Sequence, residues 1–539
     1  MRNLLARMLL GTGLLLMALG VSNPARAATF DVACNTADLI AAVNTANGNG
    51  EADTINLASG CTYSFMAGDA THPDSALPRI TSAITINGNG ATLARDAGAA
   101  THFRLIYVAI SGSLTLNGVT VTGGSRAGAS GLDGSGGGIY NDGGLLTIVN
   151  STITGNHASS DGVGGGIANQ AGTTVITDSA ISSNTAGFGG GGFNSSGGFV
   201  TVNGGTISGN DADSGGAVRT FSTVVKLIGT SVSGNSGDYG GAFNNFGNLT
   251  LIGTSITGNS ASNLGGAILE SGTLNIVSST IAGNSATGHG GGIYKELSNP
   301  MTVTNTIISG NSSGADGGGI YVTQGTGSLP ANISILSSTL AGNSAAGNGG
   351  SIYHEESSLS IANSILWGNS SGLYIASFNT LSIVYTDTEG GVPSGDGNLS
   401  TDPQFVAPVA HTSAPTSAGD YHLSAGSVAI DRGRDSDLPA DTFDIDGDLN
   451  TAEALPLDFE GDERVIDVTV STYEVDMGAD EYHPCVEYAS PYTVPAGDSA
   501  DLAFAITCAN RKPDANVINL TMSTYNFTVG DTTNSDSAL

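Results

Sequence analysis

The chain carries little charge, and almost none of it is positive. Of 539 residues only 15 are Lys or Arg against 47 Asp or Glu, and charged residues make up 12%, where an average soluble protein has about 25%. The net charge of −32 argues against nucleic acid and anionic membrane surfaces as main partners, because like charges repel and no basic patch exists to release counterions. Cations and neutral or basic ligands suit such a surface. Long apolar runs are missing beyond the stretch from Met8 to Val21, so no later segment could cross a bilayer as a helix. The four cysteines lack a CxxC spacing or a neighbouring His, which argues against a zinc site. With so few groups to solvate a large globular surface, the chain must draw regularity from a repeat.

The N-terminal residues MRNLLARMLLGTGLLLMALGVSNPARA combine Arg2 and Arg7, the apolar run and the small-x-small sequence Ala25-Arg26-Ala27. This predicts a secretory signal over residues 1–27; the alternative, a retained anchor, is weakened by a short, glycine-interrupted run. The mature protein is thus expected to be exported, secreted or at the surface of a bacterium, with no transmembrane segment after cleavage. In that compartment Cys34, Cys61, Cys485 and Cys508 point to disulfides, and four cysteines permit three pairings. The sequence-local choice is Cys34–Cys61 with Cys485–Cys508.

What the chain has in abundance is glycine, 81 residues, and a recurring motif: Ser, Thr, Ala or Ile, then Ile, Val or Leu, any residue, Gly or Ser, Asn, a few small residues, then in most copies Gly-Gly-x-Ile, Val or Phe. Its Asn recurs at 156, 184, 210, 235, 259, 284, 311, 343 and 369, intervals of 24 to 32 residues. Each period contains three short alternating segments rich in Val, Ile and Thr, such as GGAFNN, NLTLIG and TSITGN, which read as strands joined by turns. Helical periodicity is absent there. The predicted fold is all-β, a right-handed parallel β-helix (a pectin-lyase-like solenoid) of about ten coils, roughly 45–50 Å long, with a short N-terminal cap helix. Ile256, Ile281 and Ile308 are expected to stack in the lumen. The glycines provide tight turns, and the Asn residues, tolerating a left-handed conformation, form a hydrogen-bonded ladder along the axis. Expected boundaries are a cap at 28–83, the β-helix at 84–400, an acidic closing region at 401–482, and a second cap-like unit beginning at 483–539.

The stretches ITGNSASNLGGAILESG and IAGNSATGHGGGIYKE resemble the polymorphic outer-membrane-protein repeat, over approximately residues 118–372. That resemblance implies the fold far more firmly than an activity; the group includes surface adhesins with a C-terminal membrane barrel, of which no pattern is visible in this sequence. GSVAIDRG, FEGDERV and VDMGADEY within 401–482 resemble the closing region of secreted β-helix proteins named choice-of-anchor Q, which implies an end to the helix ahead of a surface-sorting tail. The N-terminal segment 35–65, with an amphipathic stretch from Leu39 to Ala46, resembles the segment ahead of secreted bacterial β-helices, and would cover the open end of the first coil. Its ADL, INL and Tyr-x-Phe elements return at 500–502, 518–520 and 525–527. The expectation is a truncated tandem protein or an unfinished gene model, with a lone C-terminal cap as the alternative.

Candidate chemistry is sparse. Asp444, Asp446, Asp448 and Asn450 alternate like the start of a calcium loop, but Leu449 stands where an EF-hand needs Gly, and the twelfth-position Glu is missing; a structural calcium ion competes with a solvated acidic loop. No other cofactor is indicated. Polysaccharide cleavage on a β-helix needs clustered acids beside a base, yet the repeats hold only Lys226 and Lys295, and Glu270 and Glu296 lack evident partner acids. One column stands out, the residue after the buried position of Gly-Gly-x-Ile: Tyr140, Ala168, Asn194, Arg219, Asn244, Leu269, Tyr294, Tyr321 and Tyr353. Strand alternation turns it outward. Tyr294, Tyr321 and Tyr353, flanked by Lys295, Glu296, His354, Glu355 and Glu356, either contact a glycan or pack on one another to protect an exposed face. The expected function is an adhesin-like scaffold that binds glycans or a host or cell surface without catalysis; the alternative is a polysaccharide lyase or glycoside hydrolase.

Overall fold

Each period of the repeat makes one coil of a parallel β-helix, because a 25-residue stretch of three or four short strands can bury its apolar residues only by stacking on its neighbours. The computed structural model describes residues 27–127, 134–296, 299–323, 331–462, 464, 475–482, 492–494, 502, 505–506 and 517–520. A typical coil runs Ile268–Glu270, Thr273–Val277, Thr280–Ala282, then, past Asn284, Ser285–Ala286. These four segments define four columns of parallel strands. The second column is the longest, with fourteen strands from Thr29–Val32 to Phe378–Thr388. The count of about ten coils is therefore too low. The extra coils lie at the two ends and lack the Asn motif by which coils are counted in sequence. The ladder also begins at Thr29, within the expected cap.

Ile256, Ile281 and Ile308 sit fully buried in successive coils, joined in register along the third column. Beside them the nine Asn residues form an unbroken chain. In each step an Asn donates both its backbone N–H and its side-chain Nδ2 to the Oδ1 of the next, as from Asn259 to Asn284 at 2.9 and 3.0 Å. The left-handed conformation expected at these residues falls one position earlier. Gly258, Gly283 and Gly310 have φ of 62°, 65° and 55°, and Ser183 has 53°. That kink turns the following Asn side chain into the lumen. In the Gly-Gly pair the first glycine supplies positive φ (Gly290, 71°), and the second allows close approach, since a Cβ on Gly291 would stand 2.5 Å from the Gly318 carbonyl.

The N-terminal end is closed by the helix Thr36–Asn49. Asn35 caps it through its side chain on Asp38 N, and Gly50 ends it at φ 75°, the residue types these positions favour. Leu39, Ala42, Val43 and Ala46 form its buried stripe. Cys34 and Cys61 are disulfide-bonded. Cys485 and Cys508 lie outside the described residues, as do the expected signal segment up to residue 26 and most of the second cap-like unit.

The closing region lies along the flank of the last coils. Thr416 N donates to the Gly310 carbonyl, Gly478 N to Asn363, and Ala479 N to Thr339 Oγ1. Arg464, fully buried, donates to the carbonyls of Ala479 and Gly478, with Glu481 3.8 Å from its Nε. Asp458 gathers the backbone N–H groups of Glu460, Gly461, Asp462 and Glu481. The three motifs are knitted to one another, as by Gly433 N on the Val475 carbonyl, and among the described residues they hydrogen-bond at the third column and not to first-column strands.

Candidate functional site

The open face is built on the first column, whose strands pair in register from Ile106–Val108 through Ile352–His354 to Leu373–Ile375. The column expected from the repeat stays in register throughout and extends at both ends, to Tyr107 and Tyr374, although Tyr140, Ala168, Asn194, Asn244, Leu269 and Tyr321 are buried. Sequence counting missed these two because their coils lack the paired glycines. The signal that could have found them is the apolar-Tyr dipeptide, Ile106-Tyr107 and Leu373-Tyr374.

Toward the C-terminal end the rings form a continuous stack. Centroids of Tyr294 and Tyr321 are 5.1 Å apart at 9°, Tyr321 and Tyr353 4.8 Å at 14°, and Tyr353 and Tyr374 5.2 Å at 24°. His289, in the turn before the strand, lies 4.5 Å from Tyr321 and 3.4 Å from Asp316. Each ring contact contributes about 0.5–1.5 kcal/mol beyond its area. Because the rings stack on one another, their faces are covered: Tyr321 is buried, Tyr294 and Tyr353 half-buried, and only the terminal Tyr374 is exposed. The row offers ring edges and hydroxyls outward. Burial, with Glu296 adding, pushes the Tyr294 hydroxyl up to about 12, and burial raises Tyr321 and Tyr353 too, so these three are protonated donors.

The residues flanking the ladder divide by strand parity. Glu296 is half-buried outside and accepts from Ser271 Oγ at 2.7 Å. Lys295 and His354 are corrections: each follows its Tyr directly, so alternation turns it inward, and both are wholly buried. Lys295 Nζ donates to the carbonyls of Gly272 and Glu296 at 3.1 and 2.9 Å, and His354 Nε2 lies 2.7 Å from Ser357 Oγ. Neither is available to an external ligand. Glu270, inward for the same reason, pairs in register with Lys295.

The middle of the face is polar, with Asn194, Arg219 and Asn244 on consecutive coils. Arg219 makes no ion pair among the described residues, and burial alone lowers its pKa. Its guanidinium carbon sits 4.8 Å from the Phe188 ring centroid and 5.8 Å from that of Phe246. Phe188, Phe221 and Phe246 are exposed large rings, and the last two touch at 6.2 Å. Arg219 Nε and the Oδ1 atoms of Asn194 and Asn244 have no hydrogen-bond partner among the described residues. At the N-terminal end, Tyr107 and Tyr140 pack at 5.3 Å, Arg79 and Arg104 cover their rings, and the Tyr107 hydroxyl donates to Asp142.

In the acidic loop, Asp444, Asp446 and Asp448 bring one carboxylate oxygen each within 4.8 Å of one another. Asn450 is turned away, donating from Nδ2 to Glu453 at 3.0 Å. Leu449 takes φ 71°, the conformation a glycine would supply in a tighter loop.

No family model matches the sequence, and no match to a curated protein was found. Among solved structures, the crystal structure of pectate lyase Pel9A aligns with 85% of this chain and 96% of its own, at 14% identity and a TM-score of 0.36. No helix among the described residues is long and apolar enough to cross a membrane.

Proposed function

We propose that this protein is an exported, cell-surface or extracellular β-helix of adhesin-like type, which holds an extended polysaccharide along its first-column face and does not cleave it. The observation that carries this reading is the Tyr294–Tyr321–Tyr353–Tyr374 row, a line of hydroxyl donors with centroid spacings of 4.8 to 5.2 Å. That spacing is close to the advance per residue of an extended 1,4-linked pyranose chain. Among the described residues, the closing region makes no hydrogen bond to this face. Arg219, an unpaired guanidinium between phenylalanine rings on a chain of net charge −32, suits a carboxylate or sulfate group carried by the same polymer. The second reading, a lyase or hydrolase, needs a base beside carboxylates. Lys295 is buried and Arg219 has no carboxylate partner among the described residues, which favours binding over cleavage. The reading extends to a structural calcium ion held by Asp444, Asp446 and Asp448.

Binding to a panel of neutral and acidic polysaccharides tests it. The triple variant Y294F/Y321F/Y353F keeps the stack and removes the hydroxyls; affinity is expected to fall about fivefold per hydroxyl, from roughly 1 kcal/mol each. Unchanged binding by this variant would remove the row as the contact surface. Release of reducing ends or unsaturated products from any panel member would overturn the non-catalytic assignment.

A further inference from the structure

A second group of side chains lies in the closing region, away from that face. His422, Glu460 and Asp480 come from three separate segments and place one ligand atom each within 4.8 Å of one another. His422 Nε2 is 3.0 Å from Glu460 Oε1 and 3.9 Å from Asp480 Oδ1. At the other edge of the ring, Nδ1 is hydrogen-bonded to Asp420 Oδ1. That contact fixes the imidazole and aims Nε2 at the two carboxylates. A carboxylate behind the ring is the usual support of a metal-binding His.

Asp480 provides an independent sign of a missing partner. It is 7% exposed, yet its carboxylate accepts no hydrogen bond among the described residues, and its one ion-pair contact is the 3.9 Å approach to His422. A carboxylate so deeply buried is costly unless a cation or donors satisfy it. All three side chains line a cleft of about 390 Å³, bounded by Thr280 and Ser309 of the coils and by Tyr421 and Phe459.

We propose that His422 Nε2, Glu460 and Asp480 bind one divalent cation of the zinc class, with its remaining coordination position open to the cleft. One imidazole nitrogen with two carboxylates is a zinc-type donor set, whereas calcium prefers six to eight oxygens. Tetrahedral bonds of about 2.0–2.1 Å set ligand atoms about 3.4 Å apart, and the observed 3.0 and 3.9 Å bracket that value. The ion would tie the strand Asp420–Leu423 to the two turns bearing Glu460 and Asp480, and so clip the closing region together where it meets the coils.

The test is titration of the full chain with Zn²⁺ by calorimetry, and with Co²⁺ by visible absorption. One equivalent of Zn²⁺ is expected, with affinity falling at least tenfold in E460Q, D480N and H422A, and with Co²⁺ bands lost in H422A. D161N, at an exposed aspartate of the coils outside both clusters, should leave both readouts unchanged, and D446N separates any binding in the acidic loop. Metal-free melting of each variant shows whether it folds; if H422A does not, the near-isosteric D480N and E460Q decide. Zn²⁺ affinity that is unchanged in folded D480N and E460Q, or that falls only in D446N, would overturn the site.

Discussion

Lys295 stands in register with Glu270 on the adjacent coil, and both side chains are wholly enclosed in the lumen. Burial pushes the carboxyl up and the ammonium down, and each shift is opposed by the other's charge. Their hydrogen bonds go elsewhere: Lys295 to two carbonyls, Glu270 to Asn245 Nδ2 at 3.0 Å from both oxygens. Removing one charge leaves the other buried without compensation, which typically costs about 3–5 kcal/mol. K295M should therefore lose about that much in urea unfolding, and E270Q/K295M should lose less than K295M alone. A double variant no more stable than the single one would show that the two charges are uncoupled.

Asp387 gives the rod a pH dependence. It is fully buried, accepts from Thr401 N at 3.1 Å, and leaves Oδ2 without a partner. Burial raises its pKa from 3.8 to about 6, with Asp402 adding and Thr401 opposing. Between those values the folded state holds a proton that the unfolded state has released, so this group's contribution to stability falls as pH rises from about 4 to 6. D387N should flatten that part of the curve and raise Tm at pH 8 relative to wild type. Melting curves from pH 4 to 8 check it; an unaltered slope in D387N would assign the effect to other groups.

Asn259 accepts from both the backbone N and the Nδ2 of Asn235, each at 2.9 Å. N259A strands the buried Asn235 backbone N–H, while Asn235 Nδ2 keeps the carbonyls of Ile207 and Ser233; at about 1–3 kcal/mol for one stranded donor, a loss of about 2 kcal/mol is expected by urea titration. A substitution of the exposed Ser262, in the same coil, should change stability by less than about 0.5 kcal/mol.

Arg219 should decide charge preference and little else. R219M keeps the length of the side chain and its contact with the rings. Affinity for an acidic polysaccharide is expected to fall about tenfold, as for loss of a charge-assisted hydrogen bond, with neutral polysaccharides unaffected. Affinity electrophoresis in paired gels distinguishes the two; equal loss on both would mean that Arg219 only supports the aromatic cluster.

The coil was legible because its constraints repeat: Asn284, Gly290, Gly291 and Ile293 each have counterparts in neighbouring coils at the same offset. The outward column was legible for the same reason, as far as the glycine pairs extend, and Tyr107 and Tyr374 fell outside that limit. Lys295 was misplaced because Tyr-Lys-Glu reads as one polar patch until strand parity divides it. Nothing periodic brings His422, Glu460 and Asp480 together. They meet through a non-repetitive region whose path is set by single anchors, such as Ala479 N on Thr339 Oγ1, and a lone long-range contact leaves no pattern to count.

The Asn ladder has a direction, since each side-chain amide lends one hydrogen to the Oδ1 of the following coil's Asn and the other to a main-chain carbonyl of the preceding coil. A rod assembled from its N-terminal end therefore carries, at its growing tip, an amide with one hydrogen that the next coil's Asn takes up. The tip acts as a template for its own extension. At Asn369 both Nδ2 hydrogens turn to main-chain carbonyls, of Leu340 and Trp367, and the finished ladder no longer offers that side-chain invitation to another coil.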